Sequence, residues 1–234
     1  MNESNVLKTN IELEEENIKK NIRINIKKIR EISYLIIKRL FDLVGALIGL
    51  ILLSPVFILV TILIKLEDKG SAFFVQERIG KQGNLFKLYK FRSMVHNADE
   101  ILEEMLKDPK IRKEYKKNMK LTQDPRITKI GNVIRKTSID ELPQLINVLK
   151  GDMSLIGNRP YLPREKQDME KYYDDIIKTK PGLTGYWQVN GRSKTTFEER
   201  CQLERYYSNH LNLLLDIKIF FRTFYVVFKR KGAK

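Results

Sequence analysis

The sequence predicts an α/β chain, mostly α with a small β element, in which a membrane-embedded helical segment leads into a compact domain. Three observations in its 234 residues carry that prediction. Residues 43–64 contain no charge, residues 72–76 and 85–94 alternate apolar and polar side chains, and several other apolar sets recur at helical spacing. An apolar fraction of 42% supplies enough core to exclude a wholly disordered chain. The single cysteine, Cys201, excludes an internal disulfide and a cysteine-rich zinc site. Two histidines, His96 and His210, leave little material for a histidine-ligated metal. A formal charge of +15 calls for a polyanionic partner: nucleic acid, an anionic membrane or a phosphorylated substrate.

Taken in order, residues 1–20 are polar, with acids at Glu12 and at 14–16, and are expected as a loose arm. Ile22, Ile26, Ile29, Ile36 and Leu40 then recur at helical spacing, with Arg23, Lys27, Lys28 and Arg30 between them. That pattern suits a basic amphipathic helix approaching a membrane, and equally an ordinary solvated helix. The run LVGALIGLILLSPVFILVTILI would extend about 33 Å as a helix, enough for one crossing of a hydrocarbon core about 30 Å thick. Ser54-Pro55 stands at its middle. Proline removes a backbone donor and crowds the preceding turn, so a break here would leave two arms of roughly 15 Å, each too short to cross. The outcome would be a re-entrant hairpin, with Ser54 satisfying a carbonyl freed at the bend. Basic flanks on both sides suit the hairpin, which keeps them on one face, but prolines also occur in straight spans, so both readings stand at this point. Gly45 and Gly49 form a small-xxx-small pair that suits close approach of another helix, including one from a second copy in a homodimer.

Beyond residue 70, strands at 72–76 and 85–94 (LFKLYKFRSM) are joined where Gly80 and Gly83 mark a turn. Residues 97–120 are strongly charged and read as an exposed helix. Residues 128–135 and 141–149 read as helices, 161–178 as containing another, and Lys180-Pro181-Gly182 as a turn before an apolar stretch ending at Val189. Residues 213–228 are rich in Ile, Phe and Val, yet carry Asp216, Lys218 and Arg222 and close on Lys229-Arg230-Lys231. Those internal charges make a crossing costly, which leaves a helix lying in the membrane interface or a buried core helix.

Chemistry concentrates in TSIDELPQLIN, residues 137–147. Ser138 followed by Glu141 matches a capping box, with Pro143 in a first turn; alternatively Asp140 is itself the N-cap. Either way Asp140 and Glu141 lie at a helix N-terminus, where partial positive charge favours carboxylates and bound phosphate. Such a setting suits an aspartate nucleophile attacking phosphorus, or carboxylates holding Mg²⁺ beside phosphates. Plain helix capping accounts for the same residues. Lys90, Arg92, Arg126, Arg135, Arg159 and Arg192 are candidate phosphate partners, and Gly157-Asn158-Arg159-Pro160 holds one arginine between turn formers. No Walker loop or GxGxxG follows a strand, no Ser-His-Asp signature assembles, and no nucleic-acid module accompanies the net charge.

The stretches KRLFDLVGALIGLILLSP, QERIG, FKLYKFRSM, TKIGNVIRKTSIDELPQLINVLKGDMSLIGNRP, KPGLTGYWQVNGRS and LDIKI follow one another from about residue 38 to the C-terminus. In that order they resemble the bacterial sugar transferases, the monotopic phosphoglycosyl transferases. The resemblance implies a membrane-monotopic fold: a re-entrant helix–break–helix hairpin bent at Ser54-Pro55, plus a compact cytoplasmic catalytic domain with interfacial amphipathic helices. Residues 1–33 would be a polar and basic amphipathic arm, 34–70 the hairpin and 71–234 the catalytic domain, the short form of the family.

The resemblance also implies a two-step exchange at the cytoplasmic face of the bacterial inner membrane. Asp140 would attack the β-phosphorus of a UDP-sugar and release UMP, after which polyprenyl (undecaprenyl) phosphate would collect the phosphosugar. Glu141, with Asp140, would hold Mg²⁺, while Lys90, Arg135, Arg159 and Pro160 would serve the phosphates and the nucleotide. UDP-galactose or UDP-glucose is the expected donor, for capsule or exopolysaccharide, with an N-acetylated hexosamine as alternative. Two departures stand out. Asn158 replaces a proline usual in the family and is expected to soften the loop around Arg159. Leu203-Glu204 replaces a usual Leu-Asp and puts an acidic contact in question. The rival reading is a non-catalytic, membrane-bound basic scaffold whose acids are helix caps.

Overall fold

The apolar run lies inside one long helix, α1, from Glu3 to Glu67. A computed structural model describes residues 3–118, 121–192 and 195–228, with side chains from residue 16 onward except at 17, 116–118, 227 and 228. Ser193, Lys229, Arg230 and Lys231, named above, fall outside the described residues, as do the side chains of Glu12, Glu14 and Glu15. The chain divides into two compact units, Met1–Phe41 and Asp42–Lys234. In the first unit the stretch expected as a loose arm is helical from Glu3. Ile22, Ile26, Ile29, Ile36 and Leu40 are all exposed there, a stripe of bare apolar surface. Among the described residues, the stretch Ile18–Glu67 is the one helix long and apolar enough to cross a membrane.

The helix is not interrupted at Ser54-Pro55, as a break would require; it runs through with Pro55 inside it. The physical reason is local. An ordinary residue at position 55 would donate its N–H to the carbonyl four residues back, that of Ile51, and proline has no such donor. The Ser54 hydroxyl donates to that same Ile51 oxygen at 2.8 Å, so the expected rescue of the freed carbonyl is present.

In the second unit both ends of the apolar helix are fastened to the globular body. Asp42 is buried and its Oδ1 accepts from Ser154 Oγ at 2.9 Å and from the Leu155 backbone N at 2.8 Å. Glu67 accepts from the backbone N of Lys129 at 2.7 Å and of Ile130 at 3.0 Å. Between these anchors Ala46 joins one core cluster with Leu145, Val148 and Leu155, while Val60 and Ile64 join another with Phe91 and Ile134. Ile51, Leu52, Ile58 and Leu59 stay exposed, Leu52 at 72%.

The Gly45/Gly49 face, expected to admit a neighbouring helix, is occupied from within the chain. A Cβ at Gly45 would meet Leu155 Cδ1 at 2.6 Å, and one at Gly49 would meet Leu145 Cδ1 at 3.2 Å. Gly45→Val is therefore expected to cost about 1–3 kcal/mol by overpacking, seen as a lower denaturation midpoint of the purified protein.

The two expected strands form: β1, Phe73–Ile79, pairs antiparallel with β2, Leu85–Phe91. Phe74 lies opposite Lys90, Gln76 opposite Leu88 and Arg78 opposite Phe86, which sets Phe74, Gln76, Arg78 and Lys90 on one face. The expected helix at 97–120 is two, α2 (Ala98–Met105) and α3 (Pro109–Asn118), because a proline is tolerated as the first residue of a helix and not in its interior. Helix α4, Lys129–Thr137, starts at Thr128, whose hydroxyl accepts from the Gly131 N–H at 2.9 Å. Helix α5 spans Gln144–Lys150.

A second, parallel pair joins β3 (Ser154–Ile156) to β4 (Gly182–Thr184), across a segment of short helical turns between Pro163 and Ile176. Then follow α6 (Tyr186–Asn190), α7 (Phe197–Asn209) and α8 (Leu213–Phe228). Helix α8 divides its sides. Asp216, Ile219 and Val226 are buried, and Tyr207 donates its hydroxyl to Asp216 at 2.7 Å, which accounts for an acid in an apolar helix. Leu214, Phe221, Phe224 and Tyr225 remain exposed.

Candidate active site

The site is assembled by packing two helices against the β1–β2 hairpin. Asn147 of α5 is fully buried, and its side chain continues the β2 edge: Oδ1 accepts from Tyr89 N at 3.0 Å and Nδ2 donates to Lys87 O at 2.7 Å. Helix α4 approaches from the other side. At Gly131 a Cβ would come within 2.0 Å of the Ser93 carbonyl oxygen, so only glycine permits this contact. One turn further on, Arg135 Nε donates to Ser93 Oγ at 2.7 Å. The turn between α4 and α5, which carries Asp140 and Glu141, is thereby held beside Lys90 of β2.

That turn is not the helix N-terminus expected. Ser138 ends α4 in the left-handed conformation, φ 59°, and its side chain makes no capping bond. Ile139–Glu141 form a single 3₁₀ turn, and Pro143 precedes α5. Both forms of the expected cap are therefore replaced. Glu141 turns away from the backbone to accept from Lys90 Nζ at 2.9 Å, a stronger, charge-assisted bond. Positive charge reaches the two acids from side chains rather than from a helix dipole, and the capping explanation behind the scaffold reading loses its basis.

An open cavity of about 650 Å³ is lined by Asp140, Glu141, Lys90, Arg135, Arg159 and Arg78, with Ser93, Arg92 and His96 at one side. Burial pushes the Asp140 carboxyl up, and the Glu141 charge adds to the push; Lys90 and Arg135 pull it back, leaving it at about 6. Burial acts on Glu141 too, but the charge and hydrogen bond of Lys90, with Arg159 and Arg78, hold it below the usual carboxylate range. Adjacent acids thus separate electrostatically: Glu141 is engaged by an ammonium, while among the described residues Asp140 has no ion-pair partner.

Of the cations expected near phosphate, Lys90, Arg135 and Arg159 line this cavity. Arg92 lines it as well but is committed to Asp68, with Nη2 donating to the backbone oxygen at 2.9 Å and Nη1 3.4 Å from Oδ2. Arg126 is taken up by Asp124, at 2.8 and 2.7 Å, and serves structure. Arg192 lies outside the cavity lining, in the left-handed conformation at φ 50°. Pro160 contributes through its backbone, accepting from Arg78 Nη1 at 3.0 Å. Arg78 itself escaped the sequence reading. It is buried, and burial together with Arg159 pushes its guanidinium down to about 10. No local signal marks it: the strand expected at 72–76 stops short of Arg78, and only the β1–β2 register sets it on the Lys90 face.

The two family departures resolve in favour of a firm loop. Asn158 is buried and does not soften the chain: its Nδ2 donates to Ile176 O at 3.0 Å and to Ser208 Oγ at 2.7 Å. Glu204 keeps an acidic contact, accepting from the Arg159 backbone N with both oxygens, at 3.1 and 2.9 Å. Asn158→Ala leaves those partners without a donor and is expected to destabilise the protein by about 1–3 kcal/mol in a denaturant titration.

Among the described residues no three His, Cys, Asp or Glu side chains converge on one point. A protein-only metal cage is therefore not the form a cation would take. Two adjacent carboxylates opening on a cation-lined cavity instead fit Mg²⁺ bound by one or two carboxylates, with water and substrate phosphates completing the shell.

A sequence model described as bacterial sugar transferase matches residues 33–230. The undecaprenyl-phosphate galactose phosphotransferase of Salmonella typhimurium is 47% identical over 201 residues, 84% of this chain and 41% of that protein. The exopolysaccharide production protein ExoY of Sinorhizobium fredii is 41% identical over 197 residues, covering 84% of this chain and 87% of the relative. The UDP-N-acetylgalactosamine-undecaprenyl-phosphate N-acetylgalactosaminephosphotransferase of Aeromonas hydrophila is 37% identical over 209 residues, 86% of this chain and 46% of the relative. The chain thus spans less than half the length of the first and third of these proteins and nearly all of the second.

Proposed function

The chain belongs to the bacterial sugar transferase family, and from that premise we propose that it moves a sugar-1-phosphate from a UDP-sugar to polyprenyl phosphate, with Asp140 carrying the phosphosugar between them. The observation that bears most weight is the unequal treatment of the acid pair: Lys90 engages Glu141 and leaves the Asp140 carboxylate facing the cavity. At neutral pH a group at about 6 is ionised, while its half-buried position limits the water that would blunt its nucleophilicity.

In the first step an Asp140 oxygen forms a bond to the β-phosphorus, the bond from that phosphorus to the bridging oxygen breaks, and UMP leaves with the electron pair. Lys90, Arg135 and Arg159 meet the charge that develops on the phosphoryl oxygens and on UMP. In the second step an oxygen of polyprenyl phosphate attacks the same phosphorus and the aspartyl–phosphorus bond breaks. The carboxylate is restored and polyprenyl diphosphate-sugar is released. Mg²⁺ held by Glu141 with Asp140 would neutralise phosphate charge in the donor.

The relatives named for galactose support UDP-galactose as donor, with UDP-glucose proposed beside it, and the relative named for exopolysaccharide production supports a place in capsule or exopolysaccharide assembly. The membrane arrangement we propose is monotopic, on the cytoplasmic face of the inner membrane. Supporting it, Asp42 and Glu67 both bond to the one globular body, although a straight helix between them would be about 37 Å long and could otherwise cross the bilayer. The exposed side of α8 would lie at the same interface. The test is UMP release by the detergent-purified protein given Mg²⁺, polyprenyl phosphate and each of a panel of UDP-sugars. Release from UDP-galactose or UDP-glucose is expected; no release from any donor overturns the reading.

A further inference from the structure

Arg159 is fastened from two directions by residues that do not line the catalytic cavity. From α7, the Glu204 carboxylate, 1% exposed, accepts the Arg159 backbone N–H with both oxygens. From α6, the Trp187 ring lies 5.8 Å from the Arg159 guanidinium carbon and 4.6 Å from that of Arg200. The ring is itself fixed, donating from Nε1 to Thr195 Oγ1 at 2.7 Å. The Arg159 Nε is buried and, among the described residues, has no hydrogen-bond partner, and Arg159 lines the cavity that holds Asp140 and Glu141.

We infer that Glu204 is a positioning residue for substrate binding: by holding the Arg159 backbone it sets the guanidinium, laid against Trp187, where a nucleoside diphosphate group can take it up. The inference rests on the reading of this chain as a UDP-sugar transferase. Glu204 bonds to the backbone of Arg159 and not to its guanidinium, so the side chain's charge is left for the ligand. Burial pushes the Glu204 carboxyl up to about 8 and nearby Glu165 adds to the push, against the pull of the Arg159 N–H and of the Arg159 and Arg200 guanidinium groups. Glutamine keeps the length of the side chain and a carbonyl oxygen that can accept the same N–H. The acceptor oxygen is what the position requires.

Trp187 is the chain's single tryptophan, so its emission reports directly on the ring that carries Arg159. UDP is titrated into full-length protein in detergent, with Trp187 emission giving the affinity and UMP release giving KM and kcat. Glu204→Met, which keeps the unbranched shape and removes the acceptor, is expected to weaken UDP binding and raise KM about tenfold, a loss of about 1.4 kcal/mol, with a smaller change in kcat. Glu204→Gln restores an acceptor and is expected to recover most of that loss. In an Arg159→Ala background the Met substitution is expected to have little further effect on either quantity, because its action passes through Arg159. Equal losses in both backgrounds, or a Gln variant as impaired as Met, overturn the inference. Should Glu204→Met fail to fold, Glu204→Leu, apolar and likewise without an acceptor, replaces it with the same expected rise in KM; an unchanged KM there overturns the inference too. Failure of the functional reading looks different: wild-type protein that releases no UMP from any UDP-sugar.

Discussion

Asp140→Asn is expected to abolish turnover, lowering kcat by at least about 10³-fold while leaving the fold intact. Asparagine preserves the shape of the side chain and removes the anionic oxygen that bonds to phosphorus. The same carboxyl sets the acid limb of the rate. With its ionisation at about 6, raised first by burial and held back by Lys90 and Arg135, the first step should fall progressively as pH drops below that value. UMP release measured at saturating UDP-sugar from pH 5 to pH 8 checks both points. A variant that keeps wild-type release would remove Asp140 from the reaction.

Lys90→Met has the next largest expected effect, a fall in kcat of about 10²–10³-fold, the scale seen when one preorganised donor is withdrawn from a developing anion. Its sign on the pH profile is fixed by the electrostatics. Lys90 pulls the Asp140 ionisation down, so its loss lets that value rise and moves the acid limb to higher pH. Glu141 loses its 2.9 Å partner at the same time and moves upward as well. Lys90→Arg keeps the charge and should restore the position of the limb, with part of the rate. An acid limb that stays in place in the Met variant would show that Lys90 does not act on Asp140.

Elements written in local patterns were legible from the sequence. The helix expected at 128–135 forms as α4, and the alternation around Gly80 and Gly83 marked the hairpin. Ser54 meets the carbonyl that Pro55 frees, as its place in the chain suggests, while the helix continues through that point because the hydroxyl stands in for the missing donor. The residues that failed are those whose partners are distant. Ser138 and Glu141 have the spacing of a capping box, but Lys90, 51 positions away, claims the carboxylate. Strands β3 and β4 have three residues each, too few for a period, and pair with one another across an intervening segment. Helix α7 was a missed local signal: Thr196 and Glu199 form a real capping box at its start.

Of the site itself, the acid pair and three cations could be read from the chain, and Arg78 could not, since a buried arginine in a strand looks like any other basic residue until the register brings it to the Lys90 face. Tertiary packing likewise decided the glycines. Gly45 and Gly49 carry the motif of a helix dimer, yet Leu155 and Leu145 of the same chain fill the space.

The central claim is a covalent exchange, and the most direct measurement is the intact mass of the protein mixed with UDP-sugar and Mg²⁺ in the absence of polyprenyl phosphate. The account predicts a gain of one hexosyl phosphate, mapped to the peptide containing Asp140, missing from Asp140→Asn and discharged when polyprenyl phosphate is added. Unmodified protein throughout, with UMP formed only when donor and lipid acceptor are present together, would contradict it and point to direct transfer between the two substrates.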